Sequence, residues 1–224
     1  MRASIPVACL LVAASCSKPH GVSFQETAAD PVGFDVIMAD PGAVSPGTTM
    51  FLDGSYPDAP RVVEVNKWGE VVWQHHVPHE RYRGTAVMDT APLPNGHALY
   101  SVDGTGLYEV NEAGETVWSF EDSQPSHDVD RLENGNTLFV NGWARKGEPH
   151  VVELDPAGGV VWSWDAVEQY DFPPYSDVEL EGWIHANAAQ RQPDGATLVS
   201  LRNFNMVTLI DADGSVLWDF SFSA

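Results

Sequence analysis

Basic side chains are scarce in this sequence: 11 Lys and Arg stand against 32 Asp and Glu, a net charge of −21. That imbalance excludes nucleic acid as a partner, because phosphate backbones need clustered Lys and Arg, and it disfavours an anionic lipid surface for the same reason. It reads instead as a solubilising acidic coat. Cysteine is nearly missing. Cys9 and Cys16 are the only two, both in the first sixteen residues, so the folded part has no disulfide and stands on its apolar core. The apolar run near the N-terminus, Ile5 to Ala14, falls well short of the ~20 residues that span a bilayer as a helix. Nowhere does a helical apolar period last for three turns, which argues for an all-β chain. No Gly-rich phosphate loop, Ser-His-Asp order or paired-carboxylate spacing stands out. The sequence calls for no cofactor.

What is present begins with an export signal. Arg2 precedes the short apolar run, and Leu-Val-Ala-Ala-Ser-Cys at 11–16 resembles the lipobox of bacterial lipoproteins, in which the cysteine is lipidated and becomes the first mature residue. Residues 1–16 are therefore expected to be a signal peptide with lipidation at Cys16, and the protein to be exported to the periplasm or cell envelope, touching a membrane only through that anchor. Residues 17–47, with Pro19, Pro31, Pro41 and Pro46, read as a tether and irregular lead-in. The folded unit is expected at 48–224.

Four phrases of one type organise that unit. They are Val-Val-Glu-Val-Asn-Lys-Trp-Gly-Glu-Val-Val-Trp (62–73), Leu-Tyr-Glu-Val-Asn-Glu-Ala-Gly-Glu-Thr-Val-Trp (107–118), Val-Val-Glu-Leu-Asp-Pro-Ala-Gly-Gly-Val-Val-Trp (151–162) and Val-Thr-Leu-Ile-Asp-Ala-Asp-Gly-Ser-Val-Leu-Trp (207–218). Trp73, Trp118, Trp162 and Trp218 stand 45, 44 and 56 residues apart. A period of that length, made only of strand and turn signals, predicts a β-propeller of four-stranded antiparallel blades, about four in number. Asn95-Gly96, Asn134-Gly135 and Asp194-Gly195 supply the hairpin turns between first and second strands. The tryptophans are expected on the outer strands, buried against the next blade. Acidic turns such as Asp211-Ala212-Asp213-Gly214 lack the distal Glu of a calcium loop and read as hairpins.

Reflecting each hairpin about its turn places the histidines. His185 and Asn187 fall opposite Leu201 to Asn203, which includes Arg202, and His127 falls near Asn141, Gly142 and Trp143. All belong to one mouth of the channel. A guanidinium, a carboxamide and two imidazoles there suit an oxyanion; the alternative is that the imidazoles only satisfy carbonyls at strand ends. His75, His76 and His79 are not expected to converge on a metal, because strand neighbours point to opposite faces and Pro78 interrupts them. His97 and His150 read as surface residues.

Gly-Trp-Ile-His-Ala-Asn-Ala-Ala-Gln-Arg-Gln-Pro-Asp-Gly-Ala-Thr-Leu-Val-Ser-Leu-Arg-Asn-Phe-Asn (182–205) and Ser-His-Asp-Val-Asp-Arg-Leu-Glu-Asn-Gly-Asn-Thr-Leu (126–138) resemble the bacterial arylsulfate sulfotransferase family, and the likeness runs from about Phe34 onward. The resemblance implies a six-bladed propeller that moves a sulfuryl group from an aryl sulfate donor to a phenolic acceptor through a sulfated histidine, with no nucleotide donor. It implies that His127, His185, Asn187 and Arg202 contact the sulfate, His127 and His185 as catalytic groups. The family's nucleophilic histidine lies in a later blade than these, so the chain reads as an incomplete propeller, truncated at its C-terminus and possessing no nucleophile of its own. The alternative is a non-catalytic extracytoplasmic propeller that binds a protein partner or an anionic small molecule. A quinone-dependent dehydrogenase shares the tryptophan phrases but needs acidic calcium ligands that are not evident here.

Overall fold

Runs of four to six β-prone residues closed by Asn-Gly, Asp-Gly or Asx-x-x-Gly turns fold into fifteen strands in the computed structural model, which describes Phe34, Asp40, 42–43, 45–56, 58–82 and 86–222. The strands are β1 (Thr48–Asp53), β2 (Arg61–Asn66), β3 (Val71–His76), β4 (Val87–Pro92), β5 (Ala98–Val102), β6 (Gly106–Val110), β7 (Thr116–Glu121), β8 (Ser126–Arg131), β9 (Thr137–Val140), β10 (Val151–Leu154), β11 (Val160–Trp164), β12 (Ala186–Arg191), β13 (Thr197–Leu201), β14 (Met206–Ile210) and β15 (Val216–Ser221). Among the described residues, helix is confined to single turns such as His79–Tyr82 and Val167–Tyr170.

Each sheet is a meander of consecutive antiparallel strands: β4 to β7, β8 to β11 and β12 to β15 make three four-stranded sheets, and β1 to β3 a three-stranded one. The sequence led us to expect four strands in every blade. Register explains the shorter sheet. Glu64 pairs with Trp73 across β2 and β3 as Glu109 pairs with Trp118 and Glu153 with Trp162 in the later sheets. So β2 and β3 are third and fourth strands, β1 is a second strand, and the stretch before β1 falls mostly outside the described residues. The inner strands β4, β8 and β12 lie side by side in succession, and β1 packs on β4. This is an incomplete β-propeller. The cores sit between sheets: Leu99, Leu107, Phe139 and Val152 fill one seam, and Val199, Leu201, Trp164 and Trp183 fill the next.

The repeated phrase builds those seams. In its turn the Asn66 carboxamide oxygen accepts from Trp68 and Glu70 N–H, and the fourth residue, Gly69, takes φ +79°; Gly114, Gly158 and Gly214 do the same at +80°, +87° and +90°. A side chain is strained in that region, which is why the phrase keeps Gly there. The turn leaves a carbonyl facing the previous blade. Trp73 Nε1 donates to Glu112 O at 2.9 Å, Trp118 Nε1 to Pro156 O at 3.1 Å and Trp162 Nε1 to Ala212 O at 3.0 Å. Two seams add an ion pair under the indole. Arg131 reaches Glu109 at 2.8 Å with its guanidinium 4.5 Å from the Trp118 ring, and Arg191 reaches Glu153 at 2.6 Å with its guanidinium 4.7 Å from the Trp162 ring.

These indoles are half-buried rather than buried, a correction to the packing expected from sequence: a side chain that must reach a turn carbonyl at the sheet's rim keeps one edge in water. Trp218, whose cross-strand partner is Leu209 instead of Glu, is 46% exposed. On the outer strand of the third sheet the buried aromatic is Trp164, two residues on, donating to Gly214 O at 3.1 Å. Trp162→Ala should therefore cost ~2–4 kcal/mol, from lost area, a hydrogen bond and the stacked guanidinium, while Trp218→Ala should cost under ~1 kcal/mol. Equal shifts of the urea midpoint for the two variants would contradict the seam.

His150, read as a surface residue, is fully buried. Its backbone closes both sides of the third sheet, accepting from Asn141 N–H and donating to Trp164 O, which drags the ring inside beside Trp164 and Trp183. Nδ1 accepts from Ala166 N–H at 3.3 Å and Nε2 meets no partner, so burial pushes the imidazole down to about 4. The unfolded chain takes this proton near the ordinary value of 6.5 and the native state only near 4. The contribution to stability is then complete above pH 6.5 and is lost as pH falls through that window, by up to ~3 kcal/mol. His150→Gln, which does not titrate, should flatten this acid-side decline in urea unfolding followed from pH 7 to 4.

Candidate functional site

Loop length singles out one mouth of the channel. Between second and third strands the connections are short in the second and fourth sheets, 103–105 and 202–205, but run over 141–150 in the third; the link from β11 to β12 covers 165–185. Both long segments meet at the rim shared by the third and fourth sheets, and long structured loops on a rigid scaffold are where function concentrates.

The inner strands are bulged at that rim. Register slips between Ser126 and Val129 in β8 and between Ala186 and Ala188 in β12. His127 at φ +49° and His185 at φ +48° both hold left-handed backbone, which costs about 1–3 kcal/mol for a residue with a Cβ. The result turns the two imidazoles toward each other: His127 Nε2 and His185 Nε2 are 3.1 Å apart. Arg202, in the 3-10 turn after β13, brings Nη1 to 3.1 Å from the same His185 Nε2. His127, His185 and Arg202 thus converge from adjacent sheets. Asn187 is exposed in the β12 bulge, two residues from His185, and among the described residues makes no hydrogen bond to the other three.

The donors and acceptors around the pair assign the protons. His185 Nδ1 lies 2.9 Å from Glu181 O, a carbonyl that only accepts, so Nδ1 carries hydrogen and Nε2 presents a lone pair to Arg202. Ser126 Oγ accepts from Gly142 N–H at 2.8 Å and sits 2.9 Å from His127 Nδ1. If Ser126 donates its hydroxyl to Nδ1, the His127 proton rests on Nε2, aimed at His185. Each imidazole nitrogen of the pair then has a hydrogen-bond partner. Burial first, and then the charges of His185 and Arg202, hold the His127 imidazole below its usual value, opposed by Asp103. Backbone contact fixes the distances: a Cβ on Gly142 would fall 2.6 Å from His127 Nδ1, and one on Gly182 would fall 2.0 Å from Gly142 O.

The family model for arylsulfotransferase (ASST) matches residues 43–223. The chain belongs to this family. Solved structures show the same propeller-type fold: a protein of unknown function from Bacteroides caccae (19% identity, TM-score 0.53, 73% of this chain and 54% of that one), a streptogramin B lyase (13%, 0.52, 85% and 58%) and a virginiamycin B lyase from Staphylococcus aureus (12%, 0.53, 80% and 53%). The chain spans little more than half the length of these structures. No curated protein matches it.

Sequence reasoning had set Gly142 and Trp143 beside His127, as found. It missed Ser126, Asp103 and the Glu181 carbonyl, whose roles depend on bulges and loop paths that no motif encodes. A groove of about 640 Å3, lined in part by Trp143, Arg145, Leu180 and Glu181 but by neither imidazole, opens beside Trp143. Among the described residues no group of three or more His, Cys, Asp or Glu could hold a metal; His75 instead stacks on Trp73 and approaches the Tyr100 hydroxyl. Cys16 lies outside the described residues, as do the whole of the expected signal peptide, 1–16, and most of the expected tether, 17–47.

Next to His127, inner-strand carboxylates staple the sheets. Asp89 Oδ2 accepts from Val129 N–H at 3.1 Å, and Asp128 Oδ2 from Ala189 N–H at 2.6 Å. Burial, reinforced by the charge of Asp89, pushes the Asp128 carboxyl up to about 8, and a hydrogen bond to Asp89 keeps its proton in place. The native state therefore holds a proton that the unfolded chain releases near 3.8, and stability falls as pH rises through that window. Asp128→Asn keeps an acceptor for Ala189 and a donor for Asp89. Relative to the parent it should gain stability as pH rises from 5 toward 8 in thermal melts; parallel profiles would contradict the shared proton.

Proposed function

We propose that the protein transfers a sulfuryl group from a phenolic sulfate ester to a phenol, with the His127, His185 and Arg202 cluster gripping the sulfuryl oxygens. The observation that carries this reading is the convergence of the Arg202 guanidinium and His127 Nε2 on one point, His185 Nε2, each at 3.1 Å; with the Ser126 hydroxyl donated to His127 Nδ1, both are donors. Two donors that meet at a single lone pair are spaced to take oxygens of one tetrahedral group instead. In a chain with net charge −21, an exposed guanidinium set against a buried imidazole, His185, is a local reversal of sign that an anion would seek. Asn187, exposed on the bulge beside His185, supplies a further neutral donor.

When the oxyanion takes the Arg202 and His127 N–H groups, the His185 Nε2 lone pair is released to hold a proton of the incoming or departing phenol. Arg202 and His127 stabilise the charge that builds on the equatorial oxygens. In the first half-reaction the ester S–O bond breaks, its electron pair leaving on the phenolate, while an N–S bond forms on an imidazole. In the second an acceptor phenol loses its proton, its oxygen attacks sulfur and the N–S bond breaks. The family resemblance gives the sulfated imidazole to another His-Asp–Asn-Gly phrase, and oxygen and proton handling to His127 and His185. The groove beside Trp143 has room for an aryl ring. The apolar leader and the lipobox at Cys16 support export and lipid anchoring.

Calorimetry with 4-nitrophenyl sulfate tests the grip, and release of 4-nitrophenolate in the presence of phenol, from a version extended to include the further His-Asp–Asn-Gly phrase, tests the transfer. Arg202→Ala should weaken ester binding ~10- to 100-fold, the worth of one charge-assisted contact. Equal affinity of parent and variant would sink this assignment and leave a non-catalytic binding module in its place.

A further inference from the structure

We propose that Trp143, held by Asp103, is a positioning residue that keeps the His127 and His185 imidazoles in the ring planes and tautomers that set Nε2 against Nε2. Its place is unusual. Trp143 rides on the 141–150 loop of the third sheet, and its Nε1–H crosses to the second sheet to reach Asp103 Oδ1 at 2.7 Å. The same indole lies edge-to-face against His127, centroids 5.2 Å apart at 60°, and against His185 of the fourth sheet, 4.7 Å apart at 82°. The imidazoles themselves meet at 83°. One side chain therefore touches three sheets and both titratable rings, in a loop that the other sheets do not have.

Hydrogen bonds alone leave the ring planes under-determined. Besides their mutual contact, His127 is tied through Ser126 Oγ and His185 through Glu181 O and Arg202, and each ring can still turn about the line of its own bonds. Edge-to-face packing of an indole on both rings removes that freedom. Asp103 adds an electrostatic part. The groups that act on His127 are His185 and Arg202, which disfavour its protonation, and the Asp103 carboxylate, which favours it. Asp103, Asn141 and Arg202 are each the first residue after a second strand, β5, β9 and β13, so the rim offers a carboxylate, an amide and a guanidinium in turn, with Trp143 bridging the first to the last two sheets.

The test uses the full chain with 15N-labelled histidine. Two-bond 15N–1H spectra read which ring nitrogen carries hydrogen and how each ring titrates. The parent should show His127 protonated on Nε2 and His185 on Nδ1 near neutral pH. Trp143→Phe, which keeps a ring but loses the anchor, should give averaged tautomer signals for both. Asp103→Asn, which keeps an acceptor for the indole, should keep the tautomers and lower the His127 midpoint. Unchanged signals and midpoints in Trp143→Phe overturn the proposal; if that variant does not fold, unchanged tautomer signals in Asp103→Ala overturn it equally.

The consequence for ligand rests on the sulfate-ester reading above: Trp143→Phe should weaken 4-nitrophenyl sulfate about fivefold, as for loss of one neutral hydrogen bond, without moving the urea midpoint by a like amount. If the tautomer signals change as expected but the ester binds neither form, the positioning role stands and the sulfate-ester reading fails. If the ester binds and Arg202→Ala weakens it while Trp143→Phe changes neither spectrum nor affinity, the sulfate-ester reading stands and the positioning role fails.

Discussion

An indole N–H that crosses from one sheet to a turn carbonyl of the next sets the spacing of each described seam. Trp73, Trp118 and Trp162 find their acceptors in Glu112, Pro156 and Ala212, and each acceptor is exposed because an Asx side chain and a left-handed Gly shape the turn that carries it. The bond is modest in energy but strict in direction. It forbids the sheets to slide, and so brings the starts of β8 and β12 to the same height. His127 and His185 can touch only because of that alignment. The site is a product of the outer rim, although it lies at the inner one.

Charge is distributed with equal economy. Arg131 and Arg191 are committed to Glu109 and Glu153 within the seams, and Lys146 to Asp171. Arg202 is the cation that faces His185. The nearby inner-strand carboxyl of Asp128 is pushed up to about 8 by burial and by Asp89, so an acidic protein reduces its own negative charge beside His127.

The sheet pattern was readable because its signals are local. Alternation, Asn-Gly turns and the spacing of four tryptophans each depend on a few neighbouring residues, and hairpin reflection then brought His185 to Arg202 and His127 to Gly142 without further information. The misses share a physical cause. His150 is buried because hydrogen bonds on both sides of β10 pull it in, and Trp73, Trp118 and Trp162 stay half-exposed because their acceptors lie at the rim. The partners of the imidazoles, Ser126, Asp103 and Glu181, come from bulges and from loops between non-adjacent elements. No period or turn code reaches across sheets. Family resemblance pointed to His127, His185, Asn187 and Arg202, but that the first, second and last of these touch while Asn187 stands apart required coordinates.

Leu209 stands where the two preceding sheets place Glu109 and Glu153. The repeats are consequently not interchangeable parts. A sheet of the kind that begins with β8 or β12 brings an arginine to its neighbour, and laid against Leu209 that guanidinium would meet aliphatic carbon in place of a carboxylate. The single replacement makes one face of the fourth sheet distinct from those of the second and third, so the order of the modules is written into their edges as well as into the peptide chain that joins them.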